Sequence, residues 1–386
     1  MDQWASQGPS TERLVSEGPT LQLSVGGRVL RATPAFRSYW KIAAERQRMF
    51  FRRLAGEPPP WTDDPVLRAH RFTNAYRASD RVSQFLINEV IYGAPLDERS
   101  TVLRVLLFKI FNRIDTWRLI EDRGGTVTAD SFDPAYLSEL LEDRLSAGKR
   151  LYSAAYIMPT PNLGSSRKHV NHLRLLQGML TDGTIDEIVA ARSLRDLYAR
   201  LVSVPSFGPF LAFQFAIDLN YSPLYSFSEM DFVVAGPGAR DGIAKCFEDA
   251  RGIAAEDVIR AVADAADTLL VQADVEFSSL WGRPLQLIDC QNLFCETDKY
   301  ARVAHPDLVG HSGRTQIKQR FAPSREPLAV AYPPKWGLHC CIGTRQDESA
   351  RPDSDAPFST TQLGLPWIAD EPRTQAGLSA AVGRRR

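Results

Sequence analysis

The most informative stretch of the sequence is Leu201-Val-Ser-Val-Pro-Ser-Phe-Gly-Pro-Phe-Leu-Ala212. A helical pattern ends at Val202, and a turn that contains Pro205 and Gly208 follows. Pro209 fits the first position of a second helix, because its missing N–H costs no hydrogen bond there. Two helices joined by so tight a turn expose backbone N–H groups and a helix N-terminus, which can bind a phosphate without side-chain charge. A purely structural helix–turn–helix corner is the alternative interpretation.

Helical spacing of apolar residues extends on both sides of this stretch. Strand signals are few, apart from a short alternating run over residues 21–30. The sequence therefore predicts an all-α, mainly helical fold. The predicted helices cover residues 71–92, 103–120, 133–147, 168–180, 184–191, 193–202, 209–220, 239–249 and 255–275, in addition to one that begins at Pro34.

Composition divides the chain into four parts. Residues 1–33 are rich in Gly, Ser and Thr and predict an irregular N-terminal arm, in which Gly26 and Gly27 suggest either a hairpin-like excursion or a loose arm. Residues 34–60 predict a basic amphipathic helix that prolines 58–60 end, and its cations suit either solvent or a phosphate backbone. Residues 61–337 form the predicted helical body, with the hairpin at 201–212. The composition of residues 338–386 predicts a disordered tail.

Charge and cysteine content limit the classes of function. The 386 residues include 46 basic and 46 acidic side chains, so contact with nucleic acid has to come from local patches. Five cysteines in no scaffold spacing, and no basic and apolar leader, predict a cytoplasmic protein. No apolar stretch is long enough to cross a bilayer. We find no metal-binding motif and no Gly-x-x-x-x-Gly-Lys-Ser/Thr phosphate loop, and we expect no cofactor.

A carboxylate follows the hairpin's second helix at a short distance. Asp231 lies in the run Phe227-Ser-Glu-Met-Asp-Phe-Val-Val, before the next helical pattern. Its place favours either a functional carboxylate or a helix N-cap. Asp218 lies inside the helix, and we expect it to be structural.

The hairpin resembles that of the helix-hairpin-helix DNA glycosylase superfamily, whose pattern is Leu-Pro-Gly-hydrophobic-Gly-x-x-x-Ala. Five positions match it, and Ser206 replaces the first glycine, which takes a left-handed conformation in that pattern. The resemblance implies that the turn contacts the DNA backbone. It also implies that Asp231 is the catalytic carboxylate, which stabilises the positive charge that develops on the sugar as the glycosidic bond breaks. The turn residues assigned to DNA binding are Ser206, Phe207, Gly208 and Pro209.

Five further segments resemble a narrower group, the alpha-glutamyl/putrescinyl thymine pyrophosphorylases and the helical domain of 5-hydroxymethyluracil DNA kinase. The resemblance spans about residues 60–337 and implies an all-helical fold that acts on a modified pyrimidine in DNA. The segments are residues 71–84, 107–117, 228–232, 289–296 and 314–321.

These segments also supply a predicted substrate pocket. Tyr76, Asp80 and Gln84 would fall on one face of a helix at i, i+4 and i+8. Arg77 and Arg81 would line the adjacent strip, facing phosphate or forming a buried pair with Asp80 or Asp115. A buried salt-bridge network is the alternative for the whole set. The predicted pocket also contains Asn74 and Glu229, together with Asn112 and Trp117, which would hydrogen-bond to and stack on an extruded base. Arg81, Arg314, Lys318 and Arg320 are predicted DNA contacts.

From these observations we predict a DNA glycosylase that flips and excises a hypermodified, phage-type pyrimidine, in an anti-phage role. Phe210 occupies the position of the lysine of strand-cutting members, so the predicted enzyme is a monofunctional hydrolase that leaves an abasic site. The predicted partner is double-stranded DNA with modified bases, with no obligate protein partner. Two alternatives stay open. One is a transferase that places an amine on an activated 5-hydroxymethylpyrimidine, and the other is a non-catalytic module that recognises modified DNA.

Overall fold

A computed structural model of the chain describes residues 21–324 and 328–338, and these are mainly helical, as predicted. The predictions for residues 1–20 and for the tail beyond Leu338 lie outside the described residues. No helix in the described part is both long and apolar enough to cross a membrane. The α-helices are α1 (Pro34–Leu54), α2 (Pro65–Ala69), α3 (Arg81–Phe85), α4 (Glu98–Phe111), α5 (Ile114–Gly124), α6 (Pro134–Ser146), α7 (Lys168–Thr181), α8 (Thr184–Val189), α9 (Leu194–Val202), α10 (Pro209–Asn220), α11 (Pro237–Cys246), α12 (Ala255–Asp264), α13 (Ala266–Ala273) and α14 (Leu287–Ala304).

A β-hairpin precedes the first helix. Strands β1 (Gln22–Val25) and β2 (Arg28–Arg31) pair antiparallel, and both glycines of the Gly26–Gly27 turn have positive φ, as tight hairpin turns require. Leu23 and Leu30 are buried in the main core. The hairpin interpretation of this run is therefore confirmed, whereas a loose arm is wrong for residues 21–31, because the alternating leucines attach this segment to the body.

Helix α1 packs in the same core as the predicted body. The rings of Phe36 and Phe247 lie 4.5 Å apart, and those of Tyr39 and Phe294 lie 4.7 Å apart. The Arg46 guanidinium donates to the Thr73 carbonyl at 2.7 Å. This cation of the predicted basic helix therefore joins α1 to the segment around Thr73 within the protein.

The long helix predicted over residues 71–92 is broken. The structure has a 3₁₀ turn (Arg77–Ser79), helix α3, and a π-helical turn (Leu86–Ile91). Asp80 accepts from the Asn74 backbone N–H at 2.8 Å, and the Asn74 amide donates to the Ser79 carbonyl. Short polar side chains that bond to nearby backbone in this way compete with a helix. Tyr76, Asp80 and Gln84 therefore do not share a helix face, and that prediction is wrong.

Helices α4 and α10 form the centre of the fold, and α11 packs closely on α14. Every residue of α10 from Leu211 to Asn220 is buried. Gly242 of α11 lies against α14 so closely that an added Cβ would stand 2.0 Å from the Phe294 carbonyl oxygen. A glycine at this position allows the two backbones to approach.

Candidate functional site

The predicted hairpin is present between α9 and α10. The Phe207 N–H donates to the Val204 carbonyl at 3.0 Å, and Ser206 has φ 72°, in the left-handed region. Ser206 therefore takes the conformation that the glycine of the resembled pattern would take. Phe207 is 2% exposed, with its ring 4.8 Å from that of Phe215, so its side chain belongs to the core and does not contact DNA. Gly208 is exposed.

A buried ionic triad lies beside α10. Asp218 accepts a hydrogen bond from the Arg77 guanidinium at 2.6 Å, and its other carboxylate oxygen lies 3.1 Å from the Lys109 ammonium. All three side chains are at most 4% exposed. Burial raises the pKa of Asp218, but the two cations outweigh this and hold the pKa below its usual value. Arg77 thus pairs with Asp218, not with Asp80 or Asp115. The predicted role of Arg77 in the substrate pocket is replaced by a structural one.

Two predicted base contacts lie in the core. Asn112 is a left-handed cap at the end of α4, and its amide oxygen accepts from Lys109 at 3.0 Å. Trp117 is 3% exposed, with the Arg104 guanidinium 4.8 Å from its ring centroid and the Phe108 ring packed edge-on. Neither side chain is placed to receive an extruded base, so the prediction for this pair is wrong.

The other residues of the predicted pocket join loops to the body. The Tyr76 hydroxyl donates to the Arg283 carbonyl at 2.6 Å. The Gln84 amide donates to the Ala78 carbonyl and accepts from the Ala331 N–H. These contacts position the segments that carry Arg283 and residues 328–336, which line the cleft described next.

An open cleft of about 280 Å³ lies at the C-terminal end of α10. Of the residues predicted for the pocket, Glu229 is the one that lines it, and we call it the Glu229 cleft. Its lining residues are Asn220, Ser226, Phe227, Ser228, Glu229, Arg283, Gln286, Lys335 and Trp336.

The carboxyl group of Glu229 is buried in the cleft beside the guanidinium of Arg283. Glu229 is 5% exposed, and its carboxylate lies 3.1 Å from the Arg283 guanidinium. Burial raises the pKa of Glu229 to about 7, although Arg283 acts in the opposite direction. The guanidinium also stacks 3.7 Å from the ring centroid of Trp336. A carboxyl group with this pKa can exchange a proton at neutral pH, and a guanidinium beside it can hold an anionic group.

Lys335, near the C-terminal end of the described residues, also lines the cleft. Its ammonium donates to the carbonyls of Asn220, Ser222 and Tyr225, the second at 3.0 Å and the third at 2.5 Å. These carbonyls lie at and just beyond the end of α10, where no intrahelical donor is available. The contact fixes Trp336 on the cleft wall. Neither residue was predicted for the site, because no motif links them to Glu229.

Asp231 lies outside the cleft lining. Its side chain is exposed, and its backbone carbonyl accepts from Arg260 at 2.8 Å. The next helix, α11, begins at Pro237 with Gly236 as N-cap, so the alternative N-cap role of Asp231 is wrong. The predicted DNA contacts Arg81, Arg314, Lys318 and Arg320 are all exposed, as is Pro209.

Comparison with known proteins identifies a family to which this sequence is similar. A family model described as "5-hmdU DNA kinase, helical domain" matches residues 33–310. A 5-hmdU DNA kinase of Bacillus phage SP10 is 26% identical over 288 residues, which cover 68% of this chain. The chain spans 44% of the length of that relative. No solved structure matches the chain.

These matches overturn the predicted excision reaction. Both are named for a kinase, which transfers a phosphoryl group to its substrate and leaves a glycosidic bond intact. The predictions of a DNA glycosylase, a monofunctional hydrolase and an abasic product are therefore wrong. The sugar-stabilising role assigned to Asp231 depended on that reaction and is withdrawn with it.

Proposed function

Because the chain belongs to the family of the 5-hmdU DNA kinase helical domain, we propose that it serves group transfer to a 5-hydroxymethylpyrimidine in DNA. In this proposal the Glu229 cleft receives the modified base after it leaves the stack. The observation that carries the proposal is the carboxyl group of Glu229, with a pKa of about 7, beside Arg283 in a cleft of about 280 Å³. Perturbed pKa values in a concave site are typical of functional groups.

The chemistry follows from the two side chains. The ionised Glu229 carboxylate accepts the proton of the base's 5-hydroxymethyl group, and the oxygen then forms a bond to the phosphorus of the donor as the bond to the leaving group breaks. Arg283 lies where it can neutralise charge on the transferred phosphoryl group. The sequence contains no Gly-x-x-x-x-Gly-Lys-Ser/Thr motif, so the proposal assigns the base to Glu229 and the transferred phosphoryl group to Arg283, without a phosphate loop for the donor.

The hairpin supports a helix-hairpin-helix type of contact to the DNA backbone as part of the proposal. Ser206 has the left-handed conformation of such a turn, and the exposed Gly208 leaves space for a phosphate. Helix α10 has 12 residues and is about 18 Å long, so the turn and the Glu229 cleft lie at its opposite ends. In this arrangement the N-terminal end of α10 would contact the DNA backbone, and its C-terminal end would lie at the pocket for the base.

The test compares duplexes that differ at one position, with either thymidine or 5-hydroxymethyl-2′-deoxyuridine. We expect the full chain to bind the modified duplex more tightly. With a nucleoside triphosphate added, mass spectrometry of the digested DNA should detect the phosphomonoester of the modified nucleoside. Glu229→Gln should lower product formation by at least tenfold while binding is retained. Glu139→Gln, an exposed carboxylate on α6, is the matched control and should leave product formation unchanged.

Two outcomes would contradict the proposal. Equal affinity for the two duplexes would show that the Glu229 cleft does not bind the modified base. Loss of product with Asp231→Asn, together with full activity of Glu229→Gln, would move the active carboxylate to Asp231.

A further inference from the structure

Residues 312–321 form a segment that is pinned to the body at several points, and we call it the basic ribbon. At its start, the Ser312 N–H and hydroxyl both donate to the buried Asp241 carboxylate, the N–H at 3.0 Å. In its middle, the Arg302 guanidinium donates to the Gln316 carbonyl at 3.1 Å. These hydrogen bonds therefore fix the backbone of the basic ribbon against the body of the protein.

The end of the basic ribbon pairs with the segment that follows α2. The Phe321 N–H donates to the Ala69 carbonyl, and the Arg71 N–H donates to the Gln319 carbonyl, both at 3.1 Å. His70 and Arg320 lie directly opposite each other in this antiparallel bridge. Two segments far apart in sequence thus become one surface.

That surface concentrates positive charge in a chain whose formal net charge is zero. Residues 65–72 and 312–321 contain no Asp or Glu. All the cations of the two segments are exposed, and none of them forms an ion pair in the part of the chain that the structure describes. These cations are Arg68, Arg71, Arg314, Lys318 and Arg320.

The cations of the basic ribbon differ from two other exposed arginines of this protein, which lie near carboxylates. Arg31 and Arg167 have side chains that are 73% and 61% exposed, yet both lie near carboxylates, of Glu248 and of Glu142 respectively. In each of these pairs a carboxylate of the same protein neutralises the charge of the arginine. The basic ribbon leaves its charges available to an external polyanion.

We infer that the basic ribbon, together with Arg68 and Arg71, is a contact surface for the phosphate backbone of double-stranded DNA. The inference rests on the proposed function only in taking DNA as the partner. Duplex DNA carries one charge per about 1.7 Å of its axis, and each phosphate that the protein neutralises releases condensed counterions. A surface of five such cations therefore contributes affinity that is independent of sequence and sensitive to salt.

The test measures the Kd for an unmodified duplex as a function of salt concentration. The variant is Lys318→Ala/Arg320→Ala, in the full chain. We expect the slope of log K against log salt to fall in magnitude by about 1.8, at about 0.9 for each phosphate contact. Arg314→Ala/Lys318→Ala is a second variant, which leaves the residues of the bridge to His70 intact and should give the same change.

Arg31→Ala/Arg167→Ala is the matched control, because it removes two exposed arginines that already have carboxylate partners. Its slope should equal that of the parent. A parental slope in both ribbon variants would overturn the inference and leave an acidic protein surface as the partner to consider. The duplex carries no modified base, so the result does not depend on the Glu229 cleft. Loss of preference for the modified duplex, with the slopes behaving as expected, would count against the cleft alone.

Discussion

Glu229 gains its proposed role from its surroundings rather than from its residue type. Burial raises the pKa of its carboxyl group, and Asp289 acts in the same direction, whereas Arg283, Arg77 and Lys335 lower it. The balance gives a pKa of about 7. An ordinary exposed glutamate is almost fully ionised at this pH and is a weak base.

The first prediction is the pH dependence of transfer. If Glu229 accepts the hydroxyl proton, the rate should rise with pH through a midpoint of about 7, because only the ionised carboxylate can act as a base. Arg283→Met removes a cation that favours ionisation, so the midpoint should move to higher pH. The measurement is the rate of product formation between pH 5.5 and 9. A midpoint that is the same in the parent and in Arg283→Met would contradict the assignment, and Glu139→Gln should behave as the parent.

At the scale of elements, the turn between α9 and α10 depends on one residue in an unfavourable backbone conformation. Ser206 has φ 72°, which is costly for a residue with a Cβ and free of that cost for glycine. The neighbouring Ser203 has φ −75°, in the ordinary helical region.

The second prediction concerns this turn. Ser206→Gly should raise the free energy of unfolding by roughly 1 kcal/mol, because it removes the left-handed penalty. Ser203→Gly should instead lower it by about 0.5–1 kcal/mol, since glycine loses more backbone freedom on folding. Urea denaturation of the two variants measures both changes. Destabilisation by Ser206→Gly would show that the serine side chain holds the turn.

Local pattern predicted most helices and the hairpin, because apolar spacing and turn residues act over a few positions. The resemblance to the helical-domain group of 5-hydroxymethyluracil DNA kinase is confirmed by the family match over residues 33–310. The helix over 71–92 failed, since Asp80 and Asn74 bond to backbone that the helix would have used. Arg77 and Asp218 are 141 positions apart, and no spacing rule links them. Separation in sequence likewise hid Arg283, which is 54 positions from Glu229, and Trp336, which is farther still.

At the scale of the whole molecule, the buried triad ties three separate parts of the chain. Arg77 lies in the 3₁₀ turn, Lys109 near the end of α4, and Asp218 near the end of α10. Two cations share one carboxylate without access to water. The unit is stable as a set, but a partial set leaves an uncompensated buried charge.

The third prediction follows from that arrangement. Asp218→Asn should lower the free energy of unfolding by about 3–5 kcal/mol, because Arg77 and Lys109 stay buried without a negative partner. The combined variant Arg77→Met/Lys109→Met/Asp218→Leu should cost less than Asp218→Asn alone, since no charge is then buried. Denaturant unfolding measures both. Additive losses across the three sites would show that the side chains act independently.

The contact between Lys335 and the end of α10 sets an order of events during protein synthesis. A ribosome releases the chain from its N-terminus, so the hairpin, α10 and the basic ribbon emerge before residues 335 and 336. Until those two residues emerge, the carbonyls of Asn220, Ser222 and Tyr225 lack their ammonium donor, and the cleft lacks the wall that Trp336 supplies. In a nascent chain, the surfaces that we propose for the DNA backbone therefore emerge before the cleft that we propose for the base has its complete wall. A product of interrupted translation that stops short of residue 335 would lack two of the residues that line the Glu229 cleft, Lys335 and Trp336.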